Sequence, residues 1–74
     1  MIKYYVMFVS NGSLQLGEGK VTEWTDLDKA KAKFHSQCTT MWNNKEVVSG
    51  YVVIMDNQFD VVEGYKEYIH HDAE

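Results

Sequence analysis

The hydrophobic residues between Thr25 and Asn44 recur with the period of an α-helix. One apolar stripe is formed by residues at successive steps of three, four, four, three and one, namely Leu27, Ala30, Phe34, Cys38, Met41 and Trp42. Thr25 and Asp28 have the spacing of a capping box at the start of this segment. Asn43 and Asn44 favour its end, because asparagine adopts the left-handed conformation more readily than most residues. The pattern predicts one helix with one buried side.

On both sides of this helix, segments rich in β-branched and aromatic residues alternate with turn residues. Four strands are predicted, over residues 2–9, 13 to about 24, 46–55 and 59–69. Asn11-Gly12 indicates a tight hairpin turn between the first two strands, because both central residues of that turn need a positive φ. Asp56-Asn57-Gln58 forms the corresponding turn between the last two.

The first and third strands are apolar on both faces, so we expect them at the centre of the sheet. The sequence therefore predicts an α+β fold in a single domain, residues 1–74, with the order β-β-α-β-β along the chain. The four strands would form one antiparallel sheet with the spatial order 2-1-3-4, and the helix would pack on one face. The polar tail over 70–74 is expected to fray.

The tight turn also predicts which side chains share a face of the first hairpin. The expected pairs are Val9 with Leu14, Met7 with Leu16, and Tyr5 with Glu18. Gly17 and Gly19 leave a second possibility open, a bulge that would shift the register beyond it.

One helix can cover only one face of such a sheet, although the central strands are apolar on both faces. The residues predicted on the uncovered face are Tyr5, Met7, Val9, Leu14, Leu16, Tyr51, Val53 and Met55. A contiguous apolar surface is typical of an interface, and Tyr and Met are enriched at interfaces. We therefore expect this face to form a homodimer or to bind a partner. The alternative is that sheet twist, the second strand or the tail covers the face within one chain.

Composition and charge narrow the choice of partners. The chain has 74 residues, of which 45% are hydrophobic, and a formal net charge of −4 with seven basic residues, all of them lysine. Arginine supplies the bidentate contacts of most specific nucleic-acid binding, so we expect no direct nucleic-acid binding. The sequence shows neither a secretory signal nor an apolar run of membrane-spanning length, and no membrane partner is expected. A single cysteine, Cys38, is typical of a reducing compartment, and a cytoplasmic location is predicted.

Acidic residues dominate the segment after the helix. The acidic hairpin predicted to bind a partner consists of Asp56, Asp60, Glu63 and Glu67. Its negative charge would steer a basic surface toward it and specify orientation. The alternative is a solvated sheet edge whose charges deter aggregation.

Few residues suggest metal or covalent chemistry. His35 and Cys38 lie three apart on the predicted helix, and His70-His71 follow the last strand, but these spacings match no common zinc signature. A Cys38–His35 nucleophile would need a lowered thiol pKa and an orienting third group, and neither is indicated. We therefore predict no metal site, no cofactor and no catalytic residue.

Three segments, KYYVMFV, TDLDKAKAKFH and YVVIMDNQFDVV, resemble the small acidic accessory proteins of bacteriophages and other mobile elements. Some proteins of that kind are anti-CRISPR or other anti-defence inhibitors, which act by binding a host complex. The resemblance implies that the partner is a host protein or protein complex and that the chain acts in the host cytoplasm.

The sequence thus favours a non-enzymatic protein-binding module, which the resemblance extends to a phage-encoded inhibitor of a host defence complex. Two alternatives stay open. One is a small-ligand binder or sponge with a pocket between protomers, built by Tyr5, Trp24 and Tyr51. The other is a structural subunit whose sheet face only builds a homo-oligomer.

Overall fold

The computed structural model describes residues 2–71 and shows one helix packed on an antiparallel sheet. The elements in chain order are β1 (Tyr4–Ser10), β2 (Ser13–Leu14), β3 (Thr22–Trp24), α1 (Leu27–Asn43), β4 (Ser49–Asp56) and β5 (Val61–His70). The predicted α+β class and the single helix are confirmed. The predicted count of four strands is wrong, because the second strand is divided into two short ones.

The helix begins one residue later than the capping box predicts. Asp26, rather than Thr25, is the N-cap residue, and its side chain accepts a hydrogen bond from the backbone N–H of Asp28. The helix ends after Asn43 as predicted, but the reason differs. Asn44 has an extended backbone with φ of −104°, not a left-handed one, and its N–H donates to the carbonyl of Met41.

The sheet has the order β2-β1-β4-β5, and β3 also pairs with β1. Since β4 pairs with β1 along its whole length, β2 and β3 share the other edge of β1. The five strands thus fill the four positions that the sequence predicts, with two short strands in the position of the second. All of these pairs are antiparallel.

The interruption changes the register of the first hairpin. Val9 pairs with Leu14 as predicted, but Tyr5 pairs with Glu23 instead of Glu18. The predicted pair of Met7 with Leu16 is also wrong, because Leu16 lies in the loop between β2 and β3. This loop turns at Gly19, which has a φ of 75°. The loop shifts the pairing of β3 with β1 by five residues relative to the pairing of β2 with β1. Because five is odd, the side chains of β3 lie on the faces opposite to those that a continuous strand would give them.

The core lies between α1 and one face of the sheet. The helix contributes its buried stripe, and the strands contribute alternate residues, so that the core consists of Val6, Ala30, Phe34, Cys38, Met41, Val47, Val52, Ile54 and Ile69. Trp42, predicted on the stripe, is 43% exposed. Its indole Nε1 donates a 2.8 Å hydrogen bond to Glu67 Oε2 across the margin of the core.

The end of β5 is anchored and does not fray up to residue 71. The two ring nitrogens of His71 lie 2.7 and 2.9 Å from the carbonyl oxygens of Val47 and Trp42. The Trp42 carbonyl belongs to the last turn of α1, where carbonyls lack partners within the helix. The predicted frayed tail is therefore wrong for His70 and His71, and its remainder lies outside the described residues.

Candidate interaction surface on the open sheet face

The face of the sheet opposite α1, which we call the open face, contains the predicted apolar residues of the strands. Alternation along β1 and β4 directs Tyr5, Met7 and Val9, and Tyr51, Val53 and Met55, away from the helix. None of the eight predicted residues is buried within the described chain. Leu14 is 46% exposed on β2, whereas Leu16 is 71% exposed in the following loop and does not extend the strand surface.

Sequence reasoning missed two open-face residues on β5. Val61 lies opposite Met55 and Tyr68 lies opposite Tyr51, and the two side chains are 45% and 48% exposed. The alternation of side chains along β5 could have identified them, because the pairing of β5 with β4 determines which β5 residues lie on the open face. The ladder, however, shifts register between Val53 and Met55, so alternation read from one end alone fails at the other.

An aromatic cluster occupies the end of the open face near the start of β4. The ring centroids of Tyr51 and Tyr68 are 4.9 Å apart, and the His70 ring stacks on Tyr68 at 5.6 Å. The Nζ of Lys66 lies 5.3 Å from the Tyr51 ring centroid, within cation–π distance. These flat rings offer adaptable apolar surface to a partner.

A hollow of about 290 Å³ occupies the other end of the open face. Its walls come from β1, β4, the β2–β3 loop and the β4–β5 turn, and the residues are Tyr5, Met7, Val21, Met55, Asp56, Asn57 and Phe59. The last of these, Phe59, is 87% exposed. Val21 and Phe59 were not predicted here, because loop and turn residues have no periodic signal that assigns them to a face.

The charges on the open face are balanced. Lys3 Nζ lies 3.7 Å from Glu23 Oε1, which also accepts a 3.2 Å hydrogen bond from the Tyr5 hydroxyl. Lys66 adds one positive charge beside Tyr51, and Asp56 adds one negative charge in the wall of the hollow. The face therefore does not share the net negative charge of the chain.

The four acidic residues predicted to form one hairpin surface have different environments. Asp56 Oδ1 accepts hydrogen bonds of 2.8 and 3.1 Å from the N–H groups of Gln58 and Asp60, so this carboxylate organises the turn. Glu67 lies on the helix side of β5 and binds Trp42. Only Asp60 and Glu63 are exposed. Two of the four are thus engaged within the chain, and the other two are the exposed members of the predicted acidic hairpin.

Within one chain, Trp24 does not share a face with Tyr5 and Tyr51, the two residues predicted to build a pocket between protomers with it. Trp24 pairs with Tyr4 and packs against the core on the helix side of the sheet. Its indole Nε1 donates a 2.8 Å hydrogen bond to Thr22 Oγ1. The five-residue offset of β3 is the cause, because it places Trp24 on the face opposite Tyr5 and Tyr51.

Cys38 is 5% exposed, and burial raises the pKa of its thiol to about 12, with a further contribution from the Glu67 carboxylate. The thiol thus stays protonated near neutral pH, where a nucleophile would need to be a thiolate. His35, its neighbour on the helix, is exposed and packs its ring against Phe34 and Tyr65. Residues 2–71 contain no group of three or more His, Cys, Asp or Glu side chains placed to hold a metal ion.

The raised pKa of Cys38 predicts a specific loss of stability in alkali. Below pH 9.0, the ordinary pKa of the thiol, both the folded and the unfolded chain hold the proton and stability is full. As pH rises from there toward 12, the unfolded chain loses the proton first, so the free energy of unfolding falls. One proton contributes at most about 1.4 kcal/mol per pH unit.

Urea unfolding of the wild type and of Cys38→Ala, measured from about pH 8 to about pH 11, tests this effect. Tyrosine and lysine titrations are common to both chains, so the difference between the two curves reports on the thiol. We expect the wild type to lose stability more steeply with pH. Parallel curves would contradict the assignment.

Comparison of the chain with protein families, curated proteins and solved structures finds no match. Among residues 2–71, no helix is long and apolar enough to cross a membrane. The geometry of the open face is therefore the basis for a proposed function.

Proposed function

We propose that this chain is a non-enzymatic protein-binding module whose binding surface is the open face and whose first partner is a second copy of the chain. The observation that supports it is the accessibility of this face. Strands at the centre of the sheet present Tyr5, Met7, Val53 and Met55 there, and no described element buries them. Their counterparts on the helix side, such as Val52 and Ile54, are completely buried.

The size of the open face is consistent with a weak dimer. Four strand positions spaced ~4.8 Å apart, with about seven residues of ~3.3 Å each, give a projected area of roughly 440 Å². Two such faces together remove about 900 Å² from water, slightly below the size of about 1,000 Å² that a stable specific interface exceeds. Association must also offset a loss of freedom of about 4–15 kcal/mol. We therefore expect a reversible dimer with a dissociation constant in the micromolar range.

Charge favours a second copy over a basic partner at this face. The chain has a net charge of −4, but the open face mixes Lys3 and Lys66 with Glu23 and Asp56. Two copies can thus meet without the like-charge repulsion that their net charge would otherwise cause. The acidic residues contribute less support for a basic host partner, since Asp56 and Glu67 are engaged within the chain.

Sedimentation velocity over a wide concentration range tests the proposal with a charge placed at the centre of the face. Val53 lies between Met7 and Lys66 on the neighbouring strands, so Val53→Glu would gain a cross-strand ion pair and keep the monomer folded. We expect concentration-dependent dimerisation of the wild type and a monomeric Val53→Glu chain. The matched control is Val48→Glu, at a residue 54% exposed just before β4.

Methionine methyl groups provide a second measurement of the same association. With ¹³C-methyl methionine, Met7 and Met55 report on the open face and buried Met41 reports on the core. The first two signals should shift as the protein concentration rises, while Met41 stays constant. A wild type that sediments as a monomer at all concentrations, with constant Met7 and Met55 signals, would contradict the proposal.

The hollow favours a second candidate function, the binding of a small apolar ligand. Its volume of about 290 Å³ lies near the lower limit of roughly 300 Å³ for small-molecule sites. Titration of indole into dilute, monomeric protein would shift the Met7 and Met55 methyl signals if the hollow accepts such a ligand. Unchanged signals at saturating indole would exclude this candidate.

A further inference from the structure

Phe59, in the turn between β4 and β5, has a conformation and an exposure that are unfavourable for an isolated chain. It is 87% exposed, more than any other large hydrophobic residue among those described, and its backbone has a φ of 64°. The other described positions with positive φ are occupied by Asn11 and by glycines, which tolerate this conformation. Glycine would serve the turn better than phenylalanine does, so the monomer fold does not explain the aromatic ring.

The turn holds this residue in place through Asp56. The side-chain carboxylate of Asp56 accepts hydrogen bonds from the N–H groups of Gln58 and Asp60. The backbone carbonyl of Asp56 accepts a 3.2 Å hydrogen bond from the Phe59 N–H. The Asp56 N–H in turn donates to the Asp60 carbonyl at 2.9 Å. Bonds on both sides of Phe59 therefore hold its backbone in one conformation, which reduces the backbone entropy lost on binding.

The hollow next to Phe59 has the size and the chemistry to receive an aromatic ring. A cavity of roughly 150 Å³ is sufficient to bind benzene, and this one measures about 290 Å³. Met7 and Met55 form part of its wall, and methionine sulfur makes favourable contacts with aromatic rings. Tyr5 offers a further ring for edge or offset packing.

We propose that in the dimer the Phe59 ring of each copy inserts into the hollow of the other. This inference rests on the proposed self-association through the open face. Phe59 and the hollow lie side by side at one end of that face, and a two-fold axis passing between them would bring each ring to the opposite hollow. Such an interface is self-complementary and closes after two copies. Buried aromatic anchors of this kind dominate the energy of many interfaces.

Phe59→Gly separates a role in the interface from a role in the monomer fold. The substitution should weaken dimerisation without lowering the thermal stability of the monomer. Glycine relieves the positive φ, so the thermal midpoint of the monomer should stay unchanged or rise. Loss of the ring should weaken dimerisation at least tenfold in sedimentation velocity. Phe59→Trp, which keeps an aromatic anchor, should retain the dimer, and Val21→Phe, which fills the hollow, should weaken it.

A mixing experiment identifies which copy supplies the ring. Phe59→Gly chains labelled with ¹³C-methyl methionine lack the ring and the part of the wall that it forms, but keep Met7 and Met55 in the rest of the hollow. Addition of unlabelled wild type should move their Met7 and Met55 signals by ring-current shifts, and addition of unlabelled Phe59→Gly should move them at least tenfold less at equal concentration. Met41, buried on α1 between the helix and the sheet, should not respond in either case.

The outcomes distinguish the two proposals. A wild-type dimer together with an equally tight Phe59→Gly dimer would overturn the insertion of Phe59 and leave the open face as the binding surface. A Phe59→Gly monomer with a markedly lower thermal midpoint would also overturn it, since the ring would then belong to its own chain. A monomeric wild type would contradict the proposed function itself.

Discussion

Replacement of Gly50 with alanine is expected to lower the free energy of unfolding by more than about 2 kcal/mol. Gly50 is buried where β1, β4 and the end of α1 meet, and an added Cβ would clash with the Val9 carbonyl oxygen and would lie 2.6 Å from Met41 Cε. The side chain of Met41 can adjust, but the Val9 carbonyl belongs to the backbone of a central strand. Relief of that clash would push β1 away from β4.

The effect would be large for so small a protein. A chain of 74 residues has a free energy of unfolding of roughly 4–11 kcal/mol. Urea unfolding followed by circular dichroism measures the loss, and Gly17→Ala is the matched control. A Cβ at Gly17 would lie 3.5 Å from Lys20 Cγ, an ordinary van der Waals distance, so its stability should change by less than about 0.5 kcal/mol. Equal stabilities of the two variants would show that the β1–β4 spacing is looser than described.

Phe34→Ala is expected to cost about 3–5 kcal/mol, because it leaves a cavity under the centre of α1. Phe34 is 3% exposed, and its ring packs edge-on against Tyr65 with centroids 5.4 Å apart. The contact joins the helix to β5 and would be lost together with the buried ring. Thermal and urea unfolding of the variant measure the cost.

The same substitution at Phe59 provides a control of equal chemistry. Phe59→Ala removes a ring that is 87% exposed and keeps the strained φ, so the monomer should change by less than about 0.5 kcal/mol. Both variants are compared at a dilution where the wild type is monomeric. A comparable loss at the two positions would mean that Phe59 packs within its own chain, contrary to its observed exposure.

Periodicity accounts for the parts of the fold that sequence reasoning predicted well. The stripe from Ala30 to Met41 identified the buried side of α1, since side chains on a helix repeat every 3.6 residues whatever they pack against. Alternation likewise assigned Tyr5, Met7 and Val53 to the face away from the helix. The ends of the elements were less predictable. Thr25 and Asp26 are both favourable N-cap residues, and the structure uses Asp26.

The β2–β3 loop shows where local pattern is insufficient. Gly17 and Gly19 are compatible with a bulge, a loop or a continuous strand, and the choice depends on what the residues beyond them can bury. The fold places Trp24 against the core, which requires an odd offset between β2 and β3. The residues against which Trp24 is buried are distant along the chain, so the sequence around the two glycines does not reveal this gain.

By itself, the sequence determined the α+β class, the helix and its buried side, and the existence of an apolar face that one helix cannot cover. These follow from local periods and from the composition of each segment. Only the tertiary structure decided that β3 is offset from β2 on the edge of β1, that Trp24 belongs to the core, and that Phe59 stands at the wall of a hollow. Those features join residues distant along the chain, and their positions depend on strand register and loop path, which no local period encodes.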